Sequence, residues 1–137
     1  MESIKTKQNI RVIVIINYLS LLTFVVLFEY FRSNAAWNLL SYSAAGASFL
    51  VFIISFYAAY GKSGAWKQAH KSFSSLDERE AGIAYESLRI AYAVFSVIVL
   101  TIILVYALGE FAVSIIVFAS LLLMAHLLPA SILVWRK

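Results

Sequence analysis

The sequence predicts an all-α membrane protein whose four transmembrane helices form two hairpins, and three observations carry that reading. Four apolar stretches, residues 10–31, 35–60, 88–108 and 111–135, each supply the roughly 20 residues that cross about 30 Å of hydrocarbon at about 1.5 Å per residue. Hydrophobic residues make up 63% of the 137-residue chain and charged residues 13%, with a mean hydropathy of +0.88, which is not a soluble globular composition. Ten of the eleven Lys and Arg residues fall in alternate connections, as basic residues do when they are held on the cytoplasmic side during insertion.

The first stretch is preceded by Lys5 and Lys7 and opens at Arg11, so the amino terminus is expected inside. Its basic start and the trailing Ser33-Asn34-Ala35 imitate a cleavable signal peptide. The run is too long for one, and Phe28, Glu29, Tyr30, Phe31 and Arg32 are wrong for the approach to a cleavage site, so the stretch is expected to stay as a membrane span. Arg32 is the one base expected outside, one turn from Glu29, and the pair reads as an ion pair at the outer boundary. Glu110 marks the second outer turn. Neither carboxylate sits deep enough in hydrocarbon to act as the proton-coupled group of an exporter.

The second stretch concentrates small residues. Ser41 with Ala45, and Ala44 with Ser48, lie four apart and form a face that lets another helix approach closely. Internal packing is the default partner for that face, and a second subunit is the alternative.

Residues 61–87 are read as a cytoplasmic connector. Trp66, His70 and Phe73 recur at i, i+4 and i+7, while Lys62, Lys67 and Lys71 point elsewhere, as in a short amphipathic helix lying among anionic headgroups. A solvated loop with an interfacial Trp is the competing reading. Ser75 with Glu78 forms a potential capping box, so a helix is expected from Leu76, with Asp77, Glu78 and Glu80 against the positive end of its dipole. Running on to Leu108, it would extend the third span into the cytoplasm; Gly82 could bend it, but no proline forbids it. Asp77, Glu78, Arg79 and Glu80 make this projection the candidate cytoplasmic interaction helix. Helix capping explains the acidic cluster more simply than metal binding does.

The run Leu76-Asp77-Glu78-Arg79-Glu80, followed by Ile83 and Tyr85 as the third span approaches, resembles that of uncharacterised small bacterial membrane proteins in which a cytoplasmic segment joins two helical hairpins. The resemblance covers about 20 residues of the chain. It implies a multi-pass protein of the bacterial inner membrane and brings no established chemistry with it.

Polar side chains inside hydrocarbon need a reason. Asn17 is read as an interhelical hydrogen-bond donor rather than a substrate ligand. His126 is the sharper candidate, because an intramembrane His can ligate a haem or other metal or relay protons; the simpler reading is a neutral imidazole bonded to a neighbouring helix. His70 belongs to the connector rather than to a facing span, so a bis-histidine haem within one chain is not expected, and no cofactor is predicted. Pro129 removes the amide that would bond the Ala125 carbonyl, so a kink and a pocket beside His126 are expected.

No Walker loop, His-Glu-x-x-His, Gly-x-Ser-x-Gly elbow or Asp-rich phosphate-metal motif is present, so no enzymatic activity is predicted. With no cysteine, disulfides and thiolate metal sites are excluded. The net charge of +4 is explained by orientation and anionic lipid rather than by nucleic acid. The sequence thus predicts one transmembrane domain over residues 1–137 that acts through helix contacts, as an accessory subunit of a larger membrane protein or as a homo-oligomer. Two alternatives stay open: a small oligomeric transporter or channel, and a cofactor-binding membrane protein using His126.

Overall fold

The computed structural model describes residues 2–35, 38–72, 76–109 and 112–136. It is all-α: α1 (Glu2–Ser33), α2 (Leu39–Phe56) continued by a π-helical turn (Tyr57–Gly61), the one-turn α3 (Ala65–Ala69), α4 (Glu78–Leu108) and α5 (Ile115–Arg136). Four segments are long and apolar enough to cross a membrane: Gln8–Ser33, Leu39–Gly61, Glu78–Leu108 and Ile115–Arg136. In hydrocarbon every backbone polar group must be paired internally, and an uninterrupted helix does that within one segment. The chain divides into two compact units, residues 1–63 and 64–137.

In the first unit, α1 and α2 pack as an antiparallel hairpin. Buried positions alternate at spacings of three and four, Val14, Asn17 and Leu21 on α1 and, facing them, Phe52 and Ser55 near the end of α2 and Ala59 in the π turn, the spacing of a seam between supercoiled helices. Phe24 on α1 meets Phe49 on α2 with ring centres 5.2 Å apart. The second helix starts at Leu39 rather than at residue 35, because Asn38 is its N-cap. Asn38 Oδ1 accepts the Ser41 amide at 2.9 Å, and Ser41 Oγ accepts the Asn38 amide at 2.7 Å, a complete capping box. The helical run then passes into the π turn at Tyr57, whose wider ladder ends at Gly61.

In the second unit, α3 and α4 both pack on α5. The α4 helix buries a stripe of small residues, Ala84, Ser87 and Ala91, and α5 buries almost all of 127–134. From Val94 to Leu108, by contrast, α4 presents Val97, Leu100, Ile103, Leu104 and Val105 outward, a continuous apolar surface that suits lipid and not water.

Three expectations about this unit change. The connector helix is limited to Ala65–Ala69, five residues, because Gly64 enters it at φ +67 and His70 leaves the helical region at φ −109, ψ 9; Phe73, the third member of the expected stripe, lies outside the described residues. The cap of α4 is Asp77, whose Oδ1 accepts the Glu80 amide at 2.7 Å, so the helix starts at Glu78 and not at Leu76; Ser75 lies outside the described residues. The last helix starts at Ile115, where Ser114 Oγ accepts the Val117 amide at 3.3 Å. Gly82 does not interrupt α4, whose 31 residues span about 46 Å and extend ten residues ahead of the apolar stretch 88–108.

Candidate functional site

Asn17 is the most deeply placed polar side chain of the first unit, with no exposed surface. Its amide Nδ2 donates to the Phe52 carbonyl at 2.9 Å and to Ser55 Oγ at 3.0 Å. A carbonyl only accepts, so the nitrogen must face Phe52, which fixes the orientation of the amide. Ser55 Oγ in turn donates to the Phe52 carbonyl at 3.0 Å, and Ser20 Oγ donates to the Asn17 carbonyl at 2.9 Å. Asn17 Oδ1 is buried with no hydrogen-bond partner among the described residues. The arrangement is a clamp between α1 and α2, one turn ahead of the π turn. Chemically it holds two helices together, with both serine hydroxyls donating to backbone carbonyls.

The small-residue face of α2 separates into two roles. Ser41 and Ala45 are buried, with the Ser41 hydroxyl engaged in the cap. Ala44 and Ser48 are half-buried, and Ser48 Oγ donates to the Ala44 carbonyl at 2.8 Å. Ser48 also lines an open groove of about 390 Å³ between α1 and α2, walled by Ile16, Leu19, Ser20, Thr23, Ala47 and Val51. The groove is apolar, and Ser20 and Ser48 on it each donate the hydroxyl to a carbonyl of their own helix.

In the second unit, His126 lies exposed on α5, its Nδ1–H donating to the Leu122 carbonyl at 2.9 Å. His70, at the end of α3, does the same to the Trp66 carbonyl at 3.0 Å. The two imidazoles are nearly parallel, 5° apart, with ring centres separated by 6.1 Å, and the Trp66 ring lies 4.1 Å from that of His70. The expectation that His70 stands apart from the last apolar helix is therefore not met: α3 packs on α5 and carries His70 to His126. The groove beside Pro129, about 200 Å³, lies instead on the α4 side, lined by Leu88, Ala91, Tyr92, Phe95 and Ala125, and His126 is not part of it. Ala125, whose carbonyl loses its usual helical partner to Pro129, faces the same groove.

The charged residues pair locally. Arg32 Nη2 meets Glu29 at 2.8 Å, as the sequence spacing suggests. Asp77 is the cap of α4, Lys71 meets Glu80 at 3.4 Å, and Glu78 and Arg79 are exposed. Lys62, Lys67 and Lys71 are exposed as well. No group of three or more His, Asp or Glu residues is placed to hold a metal ion among the described residues.

Two features escape a reading of the sequence. One is the His70–His126 apposition. The other is a two-pronged pair between Arg136 and Glu86, in which Nη2 donates to Oε1 at 2.6 Å and Nη1 to Oε2. Glu86 and Arg136 lie at similar distances along the chain from the turn after Gly109, so hairpin pairing was the available signal for the second.

Comparison with protein-family models, with curated proteins and with solved structures finds no match for this chain. The four long apolar helices suggest a small multi-pass integral membrane protein.

Proposed function

We propose that the chain is a small, non-enzymatic component of the cell membrane that works through helix contacts, either with further copies of itself or with a larger membrane protein. In this reading both termini and the 61–87 connector lie in the cytoplasm, where ten of the eleven bases would be held. Lys62, Lys67 and Lys71 then face anionic headgroups, and the exposed Glu78 and Arg79 at the start of α4 are open to a partner.

The observation that carries the proposal is the use made of Asn17. The most buried polar side chain in the apolar helices spends its amide on a carbonyl and a hydroxyl of the next helix, which is what a packing element does and a substrate ligand does not. The apolar groove beside it, with hydroxyls that donate to their own backbone, offers a surface for a helix rather than a path for an ion.

The test is purification of the tagged protein from its native membrane in mild detergent, with mass spectrometry of the copurifying chains and measurement of the particle mass. A stoichiometric complex, with itself or with a larger membrane protein, is expected. A monodisperse monomer with no partner would overturn the proposal and move transport to first place.

A further inference from the structure

We propose that the groove beside Pro129, with the face of α4 that leads into it, binds one anionic phospholipid, its phosphate on Arg89 and an acyl chain in the groove. This goes beyond a role in helix contacts and rests only on α4 and α5 spanning the bilayer. The apolar stretch of α4 opens at Leu88, so the first turns from there lie at the headgroup boundary. The groove, about 200 Å³, is lined by Leu88, Ala91, Tyr92 and Phe95 of α4 with Ala125 and Pro129 of α5. From Leu88 to Phe95 the helix rises about 10 Å, which carries the groove from that boundary into the hydrocarbon. In a bilayer, an open apolar groove at this depth meets the upper part of an acyl chain.

The charge beside the groove selects the headgroup. Tyr85, Arg89 and Tyr92 recur at i, i+4 and i+7, share one face of α4 and are all exposed. The Arg89 guanidinium carries five N–H donors and has no hydrogen-bond acceptor among the described residues. The carboxylate one turn before it, Glu86, has both oxygens on Arg136, so that pair leaves the Arg89 charge without a bonded anion. The hydroxyls of Tyr85 and Tyr92, one turn to either side of Arg89, are likewise without a partner among the described residues. A cation flanked by two hydroxyl donors matches a phosphate, which only accepts and which a guanidinium takes in a two-pronged grip. Tyr92 joins the two parts, since it lines the groove and lies one turn from Arg89. The bland reading of the same residues is an interfacial belt that anchors α4 among headgroups and retains no particular lipid.

Native mass spectrometry of the full-length protein in detergent separates the two, with phosphatidylglycerol and phosphatidylcholine of identical acyl chains as probes. The expected result is one phosphatidylglycerol retained per chain in preference to phosphatidylcholine, with binding about fivefold weaker in Arg89→Gln. Tyr92→Phe keeps the ring and removes the hydroxyl, and should weaken the same preference. Ala125→Leu fills the groove and should weaken retention of both lipids. Lys67→Gln makes the same change of charge on α3 and should leave retention as in wild type. Equal retention of the two lipids, an Arg89→Gln protein that binds like wild type, or an equal loss in Lys67→Gln overturns the proposal. So does a lipid-free dimer that Ala125→Leu takes apart, which gives the groove to a second copy of the chain. If Ala125→Leu disturbs the pairing of α4 with α5, Arg89→Gln and Tyr92→Phe carry the test, since both change exposed side chains.

Discussion

Replacing Asn17 with Ala removes two hydrogen bonds between α1 and α2 and little else of consequence. The Phe52 carbonyl keeps the Ser55 hydroxyl at 3.0 Å, so neither partner is stranded. The unpartnered Asn17 Oδ1 does not enter the balance, because it faces hydrocarbon or protein whether or not the helices are associated. Hydrogen bonds between membrane helices average about 0.6 kcal/mol and reach about 1.7, so two of them predict a loss of about 1–2 kcal/mol for Asn17→Ala. Ser55→Ala removes one of the two. The bond from Nδ2 to Oγ, 3.0 Å long, should then appear as a coupling of about 0.5–1.5 kcal/mol between the two substitutions. The assay is reversible unfolding of the purified protein in mixed micelles, extrapolated to zero denaturing detergent. Additivity of the two substitutions within about 0.3 kcal/mol, or an Asn17→Ala protein as stable as wild type, would refute the argument that this amide clamps the hairpin.

Asp77→Ala removes the side-chain acceptor from the α4 N-terminus and should cost about 1 kcal/mol, read as fraying of residues 78–81 by amide hydrogen exchange. Gly64→Ala places a side chain at φ +67; there is open space for it, so the cost is conformational, about 1–2 kcal/mol, and should loosen α3 specifically. Gly82→Ala, in the interior of α4 and also facing open space, should instead stabilise the helix by about 0.5–1 kcal/mol in thermal unfolding. Glu86→Gln weakens the two-pronged contact with Arg136 and should lower the unfolding temperature slightly, read by thermal unfolding in detergent.

The four helices were legible because their signal is long and additive: apolar runs of the length of a bilayer, with no proline before Pro129. Their ends were less so, because an end is decided by one side chain. Asn38 moves the start of α2 by closing a box with Ser41, and Asp77 takes the capping role from its neighbours at α4. That Asn17 would bond to another helix followed from its polarity. That it would choose the Phe52 carbonyl did not, since a backbone acceptor has no sequence signature. The meeting of His70 with His126 was hidden for a different reason: it depends on how a one-turn helix docks on α5, and periodicity over five residues carries no such information. On the small-residue face, Ala45 is buried, while the hydroxyl of Ser41 is used for the cap, a role that its spacing from Ala45 does not signal.

The central claim is that four helices cross the bilayer with both termini on the cytoplasmic side, and single-cysteine labelling tests it most directly because the chain has no cysteine of its own. Ser3→Cys, Ser33→Cys, Ser72→Cys, Gly109→Cys and Lys137→Cys are treated in intact cells and in lysed cells with a maleimide that cannot cross the membrane. Labelling of Ser33→Cys and Gly109→Cys in intact cells, with the other three reached only after lysis, is the predicted result. Labelling of Ser72→Cys in intact cells, or of Ser3→Cys and Lys137→Cys from opposite sides, would contradict it.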